Sequence, residues 1–321
     1  MEMALVAARR AVWTLCLCIA QGAFVDAVAG QNIAIVMSEN TAIYIEVADA
    51  VKRFVNEQTP PKLKLITMPA EDLASGEREI FKTDFYSLVI TIGARAAGIV
   101  ANLAVKPPVL NTLIPRALYE QLPPRQIREQ SSAIYFDQPL ARQLELARLI
   151  LPGKNRLGMV YGPKSASYWA ELEPLAKSKG YVVVAESFAR QGEFGPMFER
   201  VFARADFLFA LPDAEIFNRA TISKILLSSY HSRRPIIAFS AAHVKSGALA
   251  ALFTPPEALA RHIADVLAKQ QADGKFLLPP PQYPAYWRVS VNRQVAHSLG
   301  LSLPDDEELH NKLSQAPEDL R

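Results

Sequence analysis

Two hydrophobic patterns alternate along the chain. Short unbroken apolar runs are separated by longer segments whose apolar residues recur every third or fourth position. Unbroken runs suit strands buried on both faces, as in a parallel sheet covered by helices, and the longer spacing suits amphipathic helices. Residues 32–37 (Ile33, Ala34, Ile35, Val36) therefore predict a strand, and 43–55 a helix with Val47, Ala48, Val51 and Val55 inward. Strands at 62–68, 85–92 and 108–113 and helices at 77–82 and 94–103 continue the series. Strands alternating with helices at this spacing predict parallel βαβ units.

A second series of similar size begins after Ser131-Ser132. Its predicted helices cover 139–151, 166–179 (with Pro174 marking a kink or restart) and 196–203, and its strands 156–161 and 181–185. Next come an apolar strand at 206–211, the turn Pro212-Asp213, a helix at 214–230, a strand at 235–240, another at 248–253 and a helix at 256–271. The run Pro279-Pro280-Pro281-Gln282-Tyr283-Pro284 predicts a stiff extended connector. A strand at 286–291 and a helix at 292–299, closed by Gly300, complete the pattern. Each series is large enough for its own sheet.

The first thirty residues stand apart. Arg9-Arg10 precede the apolar run 11–20, and Ala27-Val28-Ala29 offers small residues for cleavage. That arrangement predicts a secretory signal peptide over 1–29. The run is shorter than the roughly 20 residues of a membrane span, although an uncleaved anchor is the competing reading. Both cysteines, Cys16 and Cys18, lie in this leader, so the mature chain has no disulfide framework, thiolate nucleophile or cysteine metal ligand. A cysteine-free mature chain suits an oxidising bacterial periplasm.

Net charge is +3 over 321 residues, with no basic stripe interleaved with aromatics, so nucleic acid is not the expected partner. The acidic run Asp305-Asp306-Glu307-Glu308 predicts a surface helix or a frayed end.

Catalytic signatures are missing: no G-x-S-x-G, H-E-x-x-H, P-loop or dinucleotide fingerprint occurs. The five histidines (His231, His243, His262, His297, His310) lack metal-ligand spacing and read as surface or structural residues. No metal, cofactor or enzymatic role is expected. What remains are polar strand exits. In open α/β sheets ligands gather beyond the carboxyl ends of strands. Ser38, Glu39, Asn40 and Thr41 follow the first strand, and either hold an anion at free backbone N–H groups or simply cap the next helix. Gly93-Ala94 permits close approach of a ligand or a tight turn. Tyr161, Ser165, Ser167 and Tyr168 gather at one exit of the second series. Asp213 stands at another, as a ligand group or as the cap of a helix beginning at Ala214. Tyr135, Phe136, Asp137 and Gln138 lie where the chain passes between the two series, as cleft residues or as a helix start.

Several pieces together resemble a known family. They are Gln143-Leu-Glu-Leu-Ala-Arg-Leu-Ile-Leu-Pro152, Arg156-Leu-Gly-Met-Val-Tyr-Gly162, Leu211-Pro-Asp213, Pro235-Ile-Ile-Ala-Phe239, Val244-Lys-Ser-Gly-Ala-Leu-Ala250 and the stretch 291–304. In order and spacing the chain is similar to periplasmic substrate-binding proteins of ABC transporters with a type I two-lobe fold, and more narrowly to the group linked with uptake of amino acids, including tryptophan. The resemblance implies two Rossmann-like α/β lobes, with parallel sheets, joined by three crossings. It places them near Ser131–Phe136, Ala242–Gly247 and the 279–284 segment. The expected lobes are 30–134 plus 248–278 and 135–247 plus 285–304, followed by an acidic tail at 305–321.

The ligand groups it implies are the Ser38–Thr41 loop, the Gly93 turn, the Tyr161–Ser165 loop and Asp213; Asp137 and Ser240 are further candidate ligand residues by position. Ser240-Ala241-Ala242, Thr254-Pro255-Pro256, Ala94-Arg95 and Ile114-Pro115-Arg116 depart from the family pattern. The expected function is delivery of a small ligand to an ABC permease in the inner membrane. A periplasmic sensor acting on a membrane signalling partner is the alternative.

Overall fold

The unbroken apolar runs form two sheets whose carboxyl ends meet at the crossings between them. The structure is a computed structural model that describes residues 31–58, 63–75, 77–103, 105–123, 131–188, 194–269, 271–272 and 275–315. The leader expected over 1–29 lies outside the described residues. Among these, no helix is long and apolar enough to cross a membrane.

The first sheet contains β1 (Gln31–Met37), β2 (Leu63–Pro69), β3 (Tyr86–Ile92), β4 (Val109–Ile114) and β5 (Ser131–Tyr135), all parallel, in the order β2-β1-β3-β4-β5. Its helices are α1 (Ala42–Gln58), α2 (Asp72–Ser75), α3 (Ala94–Ala101) and α4 (Arg116–Glu120), with a 3-10 turn at Glu77–Lys82. The pattern along β1 explains its unbroken apolar run. Ile33 and Ile35 enter one core with Val47 and Val51 of α1, while Ala34 and Val36 enter the other with Ala96 and Val100 of α3.

The second sheet contains β6 (Arg156–Tyr161), β7 (Val182–Ser187), β8 (Phe207–Phe209), β9 (Ile236–Ala238), β10 (Ala250–Phe253) and β13 (Arg288–Val291), in the order β13-β10-β9-β8-β6-β7. All neighbours are parallel except β13, which runs antiparallel to β10. The helices of this half are α5 (Leu140–Ile150), α6 (Ala166–Ser178), α7 (Phe194–Arg204), α8 (Ile222–Ser232) and α9 (Ala241–Ser246). Helix α10 (Pro256–Lys269) follows β10, β11 (Gln271–Ala272) and β12 (Lys275–Phe276) form a short hairpin, and α11 (Arg293–Ser298) and α12 (Asp306–Ser314) close the chain.

Several sequence expectations need correction. The strand expected in the first lobe at 248–253 is β10 and pairs with β9 in the second sheet. The first-lobe return therefore starts at α10, which buries Leu259, Ala260, Ile263, Ala264, Val266 and Leu267 against α1 and β1. Each large apolar side chain so buried contributes about 1.5–3 kcal/mol, enough to hold α10 on that lobe although its neighbours in sequence belong to the other. The second crossing is thus Thr254-Pro255, and the segment near Ala242–Gly247 is helix α9 instead. The first crossing follows β5 rather than beginning at Ser131.

The helix expected from Ala214 starts only at Ile222. Turns fill the gap because Asn218 and Thr221 divert their side chains to local backbone: Ala220 N–H donates to Asn218 Oδ1 (2.9 Å) and Asn218 N–H to Thr221 Oγ1 (3.0 Å). Helix α6 runs on through Pro174 rather than restarting there. Strand β5 and helices α4 and α9 were not legible as periodic runs, being only five, five and six residues long. The acidic run is not a frayed end: Asp305 caps α12 by accepting from Glu308 N–H (2.7 Å), and Leu309 and Leu313 enter the second core.

The proline-rich connector runs beside β5. Tyr135 N–H donates to the Gln282 carbonyl (3.0 Å), and Gln282 N–H, the group its three preceding prolines lack, donates to the Ala133 carbonyl (2.9 Å).

Candidate functional site

The exits of β1 and β3 form one unit. Gly93, at φ 98°, is the N-cap of α3 and has no side chain to satisfy the helix's first amides. Ser38 supplies the missing oxygen: Ala96 N–H donates to Ser38 Oγ at 3.0 Å. Ser38 is 4 % exposed and caps α3, not the helix that follows it in sequence. The fit is tight, because a Cβ on Gly93 would stand 2.4 Å from Ser38 Oγ and 2.9 Å from Tyr44 Cε1. Burial and the Glu39 carboxylate raise the Tyr44 phenol above its ordinary range, against a hydrogen bond with Ser38. Glu39, Asn40 and Thr41 are exposed over this unit, and Ala94 is half-buried.

The second lobe has a matching unit built from different chemistry. Gly162 N–H donates to Ser165 Oγ (2.9 Å), and the Ser165 hydroxyl donates to Asp213 Oδ2 (2.7 Å). Asp213 Oδ1 accepts from Glu215 N–H (2.9 Å), so this buried carboxylate has a donor on each oxygen. Asp213 therefore ties the β6 exit to the β8 exit and caps the turn at Glu215, not a helix at Ala214. Over this floor Tyr161 stacks on Trp169, with ring centroids 5.1 Å apart and planes 5° from parallel, and Lys164 pairs with Glu215 (2.9 Å). Ser167 is exposed beside it.

The two lobes meet at the crossings. Asp137, 2 % exposed, accepts from Arg116 N–H (2.8 Å) at the start of α4. Burial pushes its carboxyl up to about 6, against that amide, the Tyr168 hydroxyl and the Arg116 charge. Arg116 in turn pairs with Glu171 of α6, and Tyr168 of the same helix accepts from Ala117 N–H (3.4 Å), so first-lobe α4 is bonded to second-lobe α6. Gln138 links the first crossing to the second, since its Nε2 donates to Thr254 Oγ1 (2.9 Å), and the Thr254 hydroxyl donates on to the carbonyl of Tyr286, two residues past the third (3.1 Å).

Beside this junction lies an aromatic group. Phe136, from the first crossing, meets Phe239 at the β9 exit (centroids 6.1 Å), and Phe239 meets Phe217 (5.9 Å) and His243 (4.7 Å). Ser240 caps α9 by accepting from His243 N–H (3.3 Å). His243 Nδ1 is buried with no hydrogen-bond partner, and burial holds this imidazole below its usual range, hence neutral near pH 7.

A family model described as ABC transporter substrate binding protein matches residues 67–305. The chain belongs to that family. No curated protein sequence matches it. Among solved structures it is similar to a protein from Streptococcus pneumonia in complex with L-Trp (17% identity, 88% of this chain and 98% of that one, TM-score 0.65). It is similar also to a ligand-free, open substrate-binding protein with adhesive properties from Clostridium difficile (16% identity, 86% and 97% coverage, TM-score 0.67). An ABC transporter substrate-binding protein from Desulfitobacterium hafniense in complex with Leu shares 15% identity over 75% of this chain and 83% of that one, at TM-score 0.53. At these identities the likeness is one of fold, and it agrees with the type I two-lobe architecture expected from the sequence.

Within this substrate-binding fold the sequence-derived residues fall into four sets. Ser38, Gly93 and Ala94 share the first-lobe unit, with Glu39, Asn40 and Thr41 exposed above it. Tyr161, Ser165 and Asp213 share the second-lobe unit. Asp137 belongs to the hinge with Arg116 and Tyr168, and Ser240 sits under His243. No short window of sequence shows Phe217, Phe239 and His243 as a group, because the first and last lie 26 positions apart. A signal did exist: Phe239 directly follows β9, and Phe217 lies four residues past Asp213. Arg116 likewise stands two residues past β4, whereas Glu171 carries no comparable mark. Among the described residues no cluster of histidine, cysteine and carboxylate side chains could hold a metal ion.

Proposed function

We propose that this family member is a periplasmic solute-binding protein that closes its two lobes on a small organic ligand and delivers it to an ABC permease. The observation that carries the ligand reading is the aromatic group at the crossings. Phe136 and Phe239 come from the exits of different sheets, and His243 Nδ1 is left among them without a partner. Such an atom is costly to bury alone, at about 1–3 kcal/mol, unless something else bonds to it. A ligand with a flat or apolar portion against the phenylalanines and a polar atom for His243 meets both requirements. Apolar pockets with a few placed polar groups are the common form of small-molecule sites. The L-Trp and Leu complexes of the similar structures make hydrophobic amino acids the first class to try.

Ser165 and Asp213 support the loop in this reading, since they already satisfy each other. Lobe closure would shift a conformational population and involve no covalent chemistry. The leader at 1–29 directs export to the periplasm.

A thermal-shift screen of amino acids, nucleobases, sugars and small anions tests the proposal. A ligand at about 100 times its Kd adds about 2.7 kcal/mol, a shift of a few degrees for a chain this long. Phe239→Ala should then weaken the identified ligand at least about tenfold. If no class moves the transition, or Phe239→Ala binds as wild type does, the site is misassigned.

A further inference from the structure

We infer that the hinge carries a second small-molecule site, for a carboxylate or phosphate anion. A cavity of about 400 Å³ opens beside the third crossing, lined by Phe54 of α1, Arg261 of α10, Tyr286 and Trp287 just before β13, Arg288 at its start and His310 of α12. That volume lies in the range of small-molecule pockets.

The charges around it are unevenly satisfied. Glu257, the carboxylate on the rim, pairs with Arg53 (2.8 Å). Asp265 accepts from the Tyr286 hydroxyl (2.7 Å) and from Gln58 Nε2 (3.1 Å). Arg261 lies over the Tyr286 ring (4.7 Å), and neither it nor Arg288 has an ion-pair partner among the described residues. Behind them the buried Arg142 stacks on Trp287 at 4.7 Å, and His310 packs on the same indole at 4.2 Å. Burial holds His310 below its usual range, and the Arg142 and Arg288 charges push the same way against the opposing Glu307. Two guanidinia without a carboxylate partner at one aromatic-walled cavity are suited to the planar, charge-assisted recognition of an oxyacid anion.

The placement gives the site a consequence. Phe54 and Arg261 belong to the first lobe, whereas Arg288 and His310 belong to the second. An anion held between Arg261 and Arg288 favours one relative position of the lobes, and by linkage it alters affinity in the cleft. That coupling rests on the solute-binding reading, but anion binding itself does not.

Isothermal titration with potassium phosphate, and separately with benzoate, tests the site at an ionic strength held constant with sodium chloride. The expected result is saturable binding of at least one of the two anions that weakens at least about tenfold in R261Q and in R288Q. It should remain in K224Q, which removes an exposed charge elsewhere on the second lobe. Arg261 and Arg288 are exposed, so neither substitution opens a core cavity. Absence of saturable binding by both anions, or an equal loss in all three variants, would overturn the inference.

Discussion

The two lobes solve the same problem at their strand exits with opposite means. In the first, a glycine at positive φ lets β3 turn into α3, and a serine from 55 residues earlier fills the place of the missing cap. In the second, Gly162 has extended backbone (φ −121°), and a buried serine–aspartate pair joins the loops. The first unit depends on the absence of a side chain, the second on the presence of two. In each, the buried polar atoms are hydrogen-bonded within the protein itself.

The comparison predicts an order of effects. Gly93→Ala should be the most damaging: the backbone strain and the overlap with Ser38 and Tyr44 together imply a loss of about 4 kcal/mol, read by denaturant unfolding. A loss under about 1 kcal/mol would mean that the first-lobe turn is not sterically fixed.

Next comes the hinge between the lobes. Asp137 titrates near 6 in the folded chain against about 3.9 unfolded. The folded state thus holds the proton more tightly, and stability falls as pH rises from about 4 to about 6, by roughly 3 kcal/mol, then levels off. Relative to Asp137→Asn, which does not titrate, wild type should lose that amount between about pH 4 and pH 7.5. A difference that is constant with pH would remove the buried acid from the account.

Ser165→Ala leaves one oxygen of the buried Asp213 without its donor and should cost about 2 kcal/mol. In the double variant with Asp213→Ala the losses should be smaller than their sum, since the two residues form one interaction. Full additivity would separate them. Gly162→Ala, the counterpart of the first change, should cost under about 1 kcal/mol: its Cβ meets Asp213 Oδ2 at 3.2 Å with no positive φ to strain. Equal losses from the two glycines would end the contrast between the lobes.

Much of this was legible in advance, and the failures share a cause. The β1 run and the helical spacing of Val47, Val51 and Val55 placed both elements within one to three residues of their observed ends. The residues chosen at strand exits do lie there. What the sequence does not show is a bonding partner far along the chain: Ser38 caps α3 rather than the helix that follows it, and Asp213 bonds Ser165 rather than capping a helix at Ala214. His243, read as an isolated histidine, belongs to an aromatic group assembled from three exits.

Side-chain periodicity, which is local, dictates the alternation of strands and helices, the parallel α/β class and the positions where polar groups can gather. Long-range packing dictates that β10 joins the second sheet while α10 returns to the first, which serine caps which helix, and where Phe136 meets Phe239. Those depend on which buried surfaces fit across tens of residues of intervening chain, and no short window of sequence contains both partners.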